Sequence, residues 1–192
     1  SHSYWPELAD AFLNQRLYLI NPSTNHDLTL FKGNWYVPNP PMPALVLMPF
    51  VAIFGINGVN TTVVSAVLGA ANVLLLIWIL RTVVKLGWFE LSDNAVYWLA
   101  VTFAVGTNHL WLVTLGQMWF VSQLLTVFFV SLSIFAVLRD WSPLWAGLFL
   151  GCAMLCRPNV APIALFLVGI ELTRLRTSAE SYRSLNWWRF FV

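Results

Sequence analysis

The longest uncharged stretch of the chain runs from Gly33 to Leu80, 48 residues without an Asp, Glu, Lys, Arg or His. A soluble fold cannot bury an uncharged stretch of this length, whereas about 20 apolar residues cross the hydrocarbon core of a membrane as a helix. The stretch therefore predicts two crossings, or one crossing preceded by a helix at the membrane surface. Which of these holds decides the side of the membrane on which residues 1–41 lie.

Further segments with almost no charged residues, bounded by Lys, Arg, Gly and Pro, predict helical crossings in the rest of the chain. They do not alternate apolar and polar residues, so they predict helices rather than strands. The predicted spans are 60–80, 94–113, 118–138, 142–156 and 159–173. The expected fold class is all-α, a polytopic transmembrane bundle of about five spans with an external amino-terminal loop that contains juxtamembrane helices.

Pairs of small residues four positions apart occur within two of these spans. Small side chains at this spacing let neighbouring helix backbones approach closely in a membrane. The pairs are Ser65/Gly69, Ala66/Ala70 and Gly147/Gly151. We expect them to lie at helix contacts.

The pattern divides the chain into four parts. Residues 1–41 form an extracytoplasmic loop with an amphipathic helix, and 42–58 a juxtamembrane helix. Residues 60–176 form the transmembrane bundle, and 177–192 are a cytoplasmic interfacial tail or the start of a further span. We expect the sequence to be a piece of a longer protein, because it begins without a Met and ends in an apolar segment.

The composition agrees with a membrane protein. Hydrophobic residues make up 59% of the chain and charged residues 9%, whereas charged residues are about a quarter of a soluble domain. The net charge of +2 gives no indication of a nucleic-acid partner. Cys152 and Cys156, four positions apart in an apolar segment, share one helix face and form no disulfide or metal framework, so we expect them to pack.

The cations predict the orientation. If the five spans alternate, seven of the ten Lys and Arg residues fall on one side and Arg16, Lys32 and Arg157 on the other. The side richer in cations is cytoplasmic. Met42 to Gly55 offers 14 residues with Pro43 and Pro49 among them, which is short of a crossing. The segment is therefore predicted to lie along the surface, with residues 1–41 outside.

The external part begins with an amphipathic pattern from Tyr4 to Leu19 that predicts a helix. Glu7 and Asp10 share its polar face, where they could bind a divalent cation, accept a proton or be solvated. Residues 27–37 predict a short hairpin or an ordered loop around Lys32 and Gly33.

Several short motifs resemble those of integral-membrane glycosyltransferases of the GT-C class, above all the protein O-mannosyltransferase and aminoarabinose transferase families. They are Tyr4, Ala9, Phe12-Leu13, Gly33-Asn34-Trp35-Tyr36-Val37-Pro38, Pro40-Pro41-Met42-Pro43, Phe54-Gly55 and the glycine-rich segment from Trp145 to Arg157-Pro158. The resemblance implies a multi-pass protein of a bacterial plasma membrane. It also implies transfer of a sugar from a polyprenyl-phosphate donor to an acceptor at the extracytoplasmic face.

The resemblance also implies an acidic pair that includes the catalytic carboxylate, and here the matching positions are Ser1 and His2. Glu7 and Asp10, one and two turns further on, are the nearest substitutes. His2 is a third candidate base, since the unperturbed pKa of histidine lies near neutrality. The departure leaves a second interpretation open, a non-catalytic subunit of the same fold that acts as a scaffold in a larger membrane complex.

The departing lipid phosphate would need a cation, and Arg157 is the candidate. A helix over 142–156 is about 22 Å long, shorter than the roughly 30 Å hydrocarbon core, so Arg157 would lie within the outer interface. There it would bind the donor or reach a structural phosphate or carbonyl.

The remaining candidates for substrate binding lie in the external loops and at the outer helix ends. Asp27 precedes the proline-rich segment, and His109 and Gln117 either line the sugar cavity or, for His109, belong to an interfacial belt. Trp35 and Tyr36 stack on a sugar or anchor the loop in the membrane. A divalent metal is undecided, because Glu7, Asp10, His26 and Asp27 have no diagnostic spacing. The expected partners are membrane lipid, the polyprenyl-phosphate donor and other membrane subunits.

Overall fold

The computed structural model describes residues 3–177 of the 192-residue chain, and this part is predominantly helical. It has eight α-helices and one two-stranded hairpin. In chain order these are α1 (Trp5–Leu13), β1 (Thr29–Phe31), β2 (Asn34–Tyr36), α2 (Met42–Phe54), α3 (Thr61–Lys85), α4 (Asp93–Val105), α5 (Asn108–Leu115), α6 (Met118–Leu138), α7 (Pro143–Met154) and α8 (Ile163–Thr177). Short 3₁₀ turns at Ile56–Gly58 and Pro158–Val160 precede α3 and α8.

Within the described residues, α3 and α6 are long and apolar enough to cross a membrane on their own. The pair α4 and α5 passes the same test as one span that is bent by 53°. Helices α2 and α7 are apolar but shorter, and at 12 residues α7 is about 18 Å long. Two helices could therefore span a bilayer, or three if the bent pair is one span.

The predicted span 94–113 is broken at Gly106 and Thr107. The Thr107 hydroxyl donates to the carbonyl of Phe103 at 2.8 Å and accepts from the backbone N–H of His109 at 3.1 Å. A threonine that caps the next helix in this way stabilises a new helix start rather than continuation of the old one. The sequence pattern predicted one helix here because both halves are apolar.

Helices α3 and α6 run parallel to each other. Gly116, just before α6, lies against Thr62 at the start of α3, and further along the two helices Trp78 contacts Phe135 with ring centroids 6.1 Å apart. The bundle therefore has two ends. We call the end with Thr62 and Gly116 the head end.

The opposite end, which we call the basic end, carries Arg81 and Arg139. The Arg81 guanidinium donates to the Tyr97 hydroxyl at 2.8 Å and lies 3.8 Å from the Asp93 carboxylate. Arg139 lies 5.9 Å above the ring of Phe135. The loops that follow α3 and α6 thus lie together, as alternating helices require.

The amino-terminal residues pack on the head end. Helix α1 lies against α2, and Trp5, which is 1% exposed, donates from Nε1 to the carbonyl of Met118 at 2.8 Å. The backbone N–H of Met42 donates to the carbonyl of Leu155 at 3.1 Å, just after α7. Buried Leu47 and Val51 of α2 join the same apolar core. These contacts hold residues 3–58, which we call the head, against the bundle.

Helix α1 is shorter than predicted. It ends at Leu13, and Gln15 adopts a left-handed conformation with φ 57°, which breaks the helix. Trp5 and Leu8 are buried as the apolar stripe predicted, whereas Leu17 is 72% exposed because it lies beyond the helix. The predicted continuation to Leu19 is therefore wrong.

Residues 29–36 form an antiparallel hairpin, the first of the two alternatives for this segment. Leu30 pairs with Trp35, and the two turn residues Lys32 and Gly33 both have positive φ, as a tight hairpin turn of the right twist needs. Leu19 makes a further bridge to Trp35. An all-α class is therefore a simplification of a helical fold that contains one hairpin.

The predicted pairs of small residues behave differently from one another. Ser65 and Gly69 are buried, and a Cβ at Gly69 would overlap the Val113 side chain of α5. Ala66 and Ala70 are exposed. A Cβ at Gly147 or Gly151 would meet nothing within 4 Å. The close approach of α3 to α5 therefore depends on Gly69.

We expect Gly69→Ala to lower the thermal unfolding midpoint of the detergent-purified protein, because its methyl group forces Val113 and α5 away at a cost of about 1–3 kcal/mol. Gly147→Ala is the matched control, and it should be neutral or stabilising by up to about 1 kcal/mol. Circular dichroism at 222 nm follows both. Equal midpoints for the two variants would contradict the close α3–α5 contact.

Candidate functional site

A cavity of about 200 Å³ lies where the head meets the bundle. Its walls come from α1, the proline-rich segment before α2, the start of α6 and the turn after α7. Residues that line it include Trp5, Asn39, Trp119, Ser122, Arg157 and Asn159. We call it the Arg157 cavity.

The backbone around Arg157 is held by helices α6 and α7. The Arg157 N–H donates to the carbonyl of Ala153 at 2.8 Å, and the Ser122 hydroxyl donates to the carbonyl of Cys156 at 3.1 Å. The side chain then turns back towards α6, where Nη2 lies 3.5 Å from the carbonyl of Trp119 and the guanidinium lies 5.8 Å above its ring.

Two donors in this cavity have no acceptor in the structure. Nε of Arg157 and Nδ2 of Asn39 are both buried and make no hydrogen bond. A buried donor without a partner costs about 1–3 kcal/mol, so both favour a ligand that offers oxygen acceptors. Because a guanidinium and an amide N–H line the same cavity, it is suited to an anion such as a phosphate.

The carboxylates of α1 lie in a different cavity of about 430 Å³, which we call the Glu7 cavity. Asp10 is paired with Arg16 at 3.4 Å, and both line it with Glu7. Oε2 of Glu7 is buried and accepts no hydrogen bond. Glu7 and Asp10 therefore share a site, as their spacing predicted, but they do not line the Arg157 cavity.

His109 and Gln117 line neither the Arg157 cavity nor the Glu7 cavity. His109 is buried between helices, with its ring 4.5 Å from that of Phe103 and close to Gly69, and it is not part of the Arg157 cavity wall. Gln117 is exposed directly before Met118, which does line that cavity. Gln117 thus stands at its edge.

The candidates in the hairpin region contact the head itself. Trp35 is partly buried against the head's apolar core, and the Tyr36 ring lies 6.2 Å from that of Tyr18. Asp27 is exposed, with its carboxylate 3.7 Å from the His26 ring. None of these side chains lines the Arg157 cavity. His2 lies outside the described residues.

Within residues 3–177 no three His, Cys, Asp or Glu side chains come together as a group that could hold a metal ion. Glu7 and Asp10 are joined in their cavity by a cation, Arg16, rather than by a third anionic ligand. The divalent metal that the sequence left undecided gains no set of ligands from this part of the chain.

Most residues that line the Arg157 cavity were missed by the sequence reasoning, among them Trp5, Asn39 and Ser122. Asn39 carried a signal, since it is the one polar side chain between Pro38 and Pro43. The other two carried none, because each acts through a backbone carbonyl far away in the sequence.

Comparison of the chain with family models, with curated proteins and with solved structures finds no match.

Trp5→Phe should loosen the head from the bundle, because it removes the bond to Met118 while keeping most of the apolar contact. We expect a loss of about 1 kcal/mol, seen as faster proteolysis in the exposed loop around Ser23. Trp98→Phe, at a side chain that is 71% exposed, is the control. Equal cleavage rates for the two variants would show that the hydrogen bond does not hold the head.

Proposed function

We propose that the chain belongs to an integral-membrane glycosyltransferase of the GT-C class. It would transfer a sugar from a polyprenyl-phosphate donor to an acceptor at the extracytoplasmic face. The observation that carries the proposal is the Arg157 cavity at one end of an apolar helical bundle, where Nε of Arg157 and Nδ2 of Asn39 have no acceptor.

In this proposal Arg157 binds the phosphate of the donor. Negative charge grows on that phosphate as the bond to the sugar breaks, and a fixed cation lowers the barrier by stabilising it. Arg157 follows α7, which is shorter than the bilayer core. A lipid-linked phosphate would therefore meet Arg157 at interface depth, while its polyprenyl chain stays among the helices.

The topology that we propose has five crossings, with the bent pair as one span and α7 and α8 as two short ones. The head then faces outward. In support, the head packs at the end of the bundle opposite Arg81 and Arg139. Helix α2 is not counted as a crossing because it packs on α1 within the head, although at 13 residues it is no shorter than α7.

The acceptor hydroxyl would need a general base within hydrogen-bond reach. Of the two carboxylates on α1, Glu7 is the better candidate, because Asp10 is already paired with Arg16. The Glu7 cavity is separate from the Arg157 cavity. For the protein to act as the proposed enzyme, the acceptor must therefore approach along the side of α1 that faces away from Arg157.

That separation favours a second candidate function, a non-catalytic subunit of the same fold that serves as a scaffold in a larger membrane complex. With the carboxylates and Arg157 in different cavities, phosphate binding would persist without transfer. The Arg157 cavity would then hold a lipid phosphate as a structural ligand.

Arg157→Gln in the full-length protein should reduce sugar transfer from a polyprenyl-phosphate donor by about 100-fold or more, since it removes the charge that faces the leaving phosphate. Arg139→Gln, at the basic end, is the control and should keep its activity. An Arg157→Gln variant with unchanged transfer rules out the proposed phosphate site. Donor binding without transfer in the unaltered protein selects the scaffold.

Cysteine labelling tests the topology. In a variant in which Cys152 and Cys156 are replaced by Ala, a membrane-impermeant maleimide added to intact cells should label Ser23→Cys in the head. Ser92→Cys at the basic end should react only after the cells are opened. The reverse pattern would place the head in the cytoplasm and remove the extracytoplasmic site.

A further inference from the structure

The Glu7 cavity contains fixed charges of both signs. Arg16 and Asp10 pair with each other at 3.4 Å, and each keeps part of its side chain exposed, 24% and 33%. Glu7 has no partner for Oε2, so the cavity holds one carboxylate that the protein leaves uncompensated. Its volume of about 430 Å³ exceeds what a single ion needs.

The cavity lies where the chain turns into the bundle. Ile56, which lines it, stands five residues before α3 begins at Thr61, one of the two helices long enough to cross a membrane alone. Exposed apolar side chains surround this point: Ile20 is 60% exposed, Ile53 74% and Phe54 63%. A charged cavity with an apolar border at the level where a helix enters a bilayer matches a lipid with its headgroup inside and its acyl chains outside.

We propose that the Glu7 cavity binds the headgroup of a zwitterionic phospholipid that carries a primary ammonium group, as phosphatidylethanolamine does. The ammonium donates to the carboxylates of Glu7 and Asp10. The phosphate accepts from Arg16, which has five donors and spends one on Asp10. Each charge of the headgroup is thus paired with an opposite charge in the cavity. Because two carboxylates and one guanidinium leave the cavity with a net negative charge, it favours the ammonium group.

The charges select among membrane lipids. An anionic headgroup such as glycerol phosphate can pair with Arg16 but offers no cation to Glu7, so one carboxylate stays uncompensated. A choline headgroup carries the positive charge but has no N–H to donate to a carboxylate. The expected order of affinity is ethanolamine, then choline, then glycerol.

This inference rests on the placement of the head at a membrane surface and not on sugar transfer. The headgroup occupies the space in which the proposed enzyme would bring the acceptor to Glu7, so the two are alternative occupants of this cavity. An inactive protein could still bind the lipid, and an active one could fail to bind it. The readout is therefore lipid binding itself.

The experiment titrates the full-length, detergent-purified protein with phosphatidylethanolamine, phosphatidylcholine or phosphatidylglycerol of the same acyl chains. Native mass spectrometry measures the bound fraction. Glu7→Gln should weaken phosphatidylethanolamine binding about tenfold, the scale of one lost charge-assisted hydrogen bond. It should leave phosphatidylglycerol binding unchanged or improved. Arg16→Gln should weaken binding of all three lipids, because they share the phosphate.

Glu90→Gln and Arg139→Gln are matched controls, since both side chains are exposed and lie outside the cavity. Thermal unfolding of each variant checks the fold, and if Arg16→Gln unfolds, the Glu7→Gln comparison decides. Equal affinity of the unaltered protein for the three lipids would overturn the proposal, as would a Glu7→Gln variant that keeps the preference for ethanolamine.

Discussion

Among the contacts that hold the head on the bundle, one is a buried hydrogen bond from the Trp5 indole N–H to the carbonyl of Met118. Met118 is the first residue of α6, and its carbonyl also accepts from the turn that follows it in the helix. The bond from Trp5 is additional, and it joins two elements that lie far apart in the chain. Trp5 borders the Arg157 cavity, and Glu7, two residues later, points to the other side of α1. Fixing this one helix against α6 therefore shapes the Arg157 cavity, whereas the Glu7 cavity is lined by residues of the head alone.

Within the bundle, hydrogen bonds from side chains to backbone carbonyls join helices that lipid would not drive together. In a bilayer, apolar side chains gain little by leaving lipid for one another, so close packing and polar contacts between helices take over. Asn72 of α3 donates to the carbonyl of Leu124, and Ser133 of α6 to that of Ala146. The Ser122 bond to Cys156 belongs to the same set, and it is the one that positions the residue before Arg157.

The sequence predicts the helices well and the sites only in part, and particular residues show why. The apolar run of 118–138 coincides with α6, since hydropathy alone determines a helix of that kind. Hydropathy cannot show that α1 ends early at Leu13, because this end depends on the left-handed backbone at Gln15. Nor can it show the break after Val105, which depends on a hydroxyl cap. Arg157 was identifiable because a lone cation beside an apolar helix is unusual. Its cavity was not, because the walls come from segments more than a hundred residues apart, and the separation of Glu7 from Arg157 is equally a property of the assembled fold.

The way Arg157 uses its donors supports the proposal that it binds a ligand. An arginine that only anchors a loop would spend its donors on carbonyls or carboxylates of the protein. Here the contacts are one long bond to the carbonyl of Trp119 and the face of its ring, and Nε has no acceptor although it is buried. The ring contact stabilises the side chain without consuming a donor, because the cation interacts with the π-electrons of the indole. The guanidinium is thus held in place while Nε keeps hydrogen-bonding capacity, as does Nδ2 of Asn39 in the same cavity. In our proposal an anion with several oxygens satisfies both.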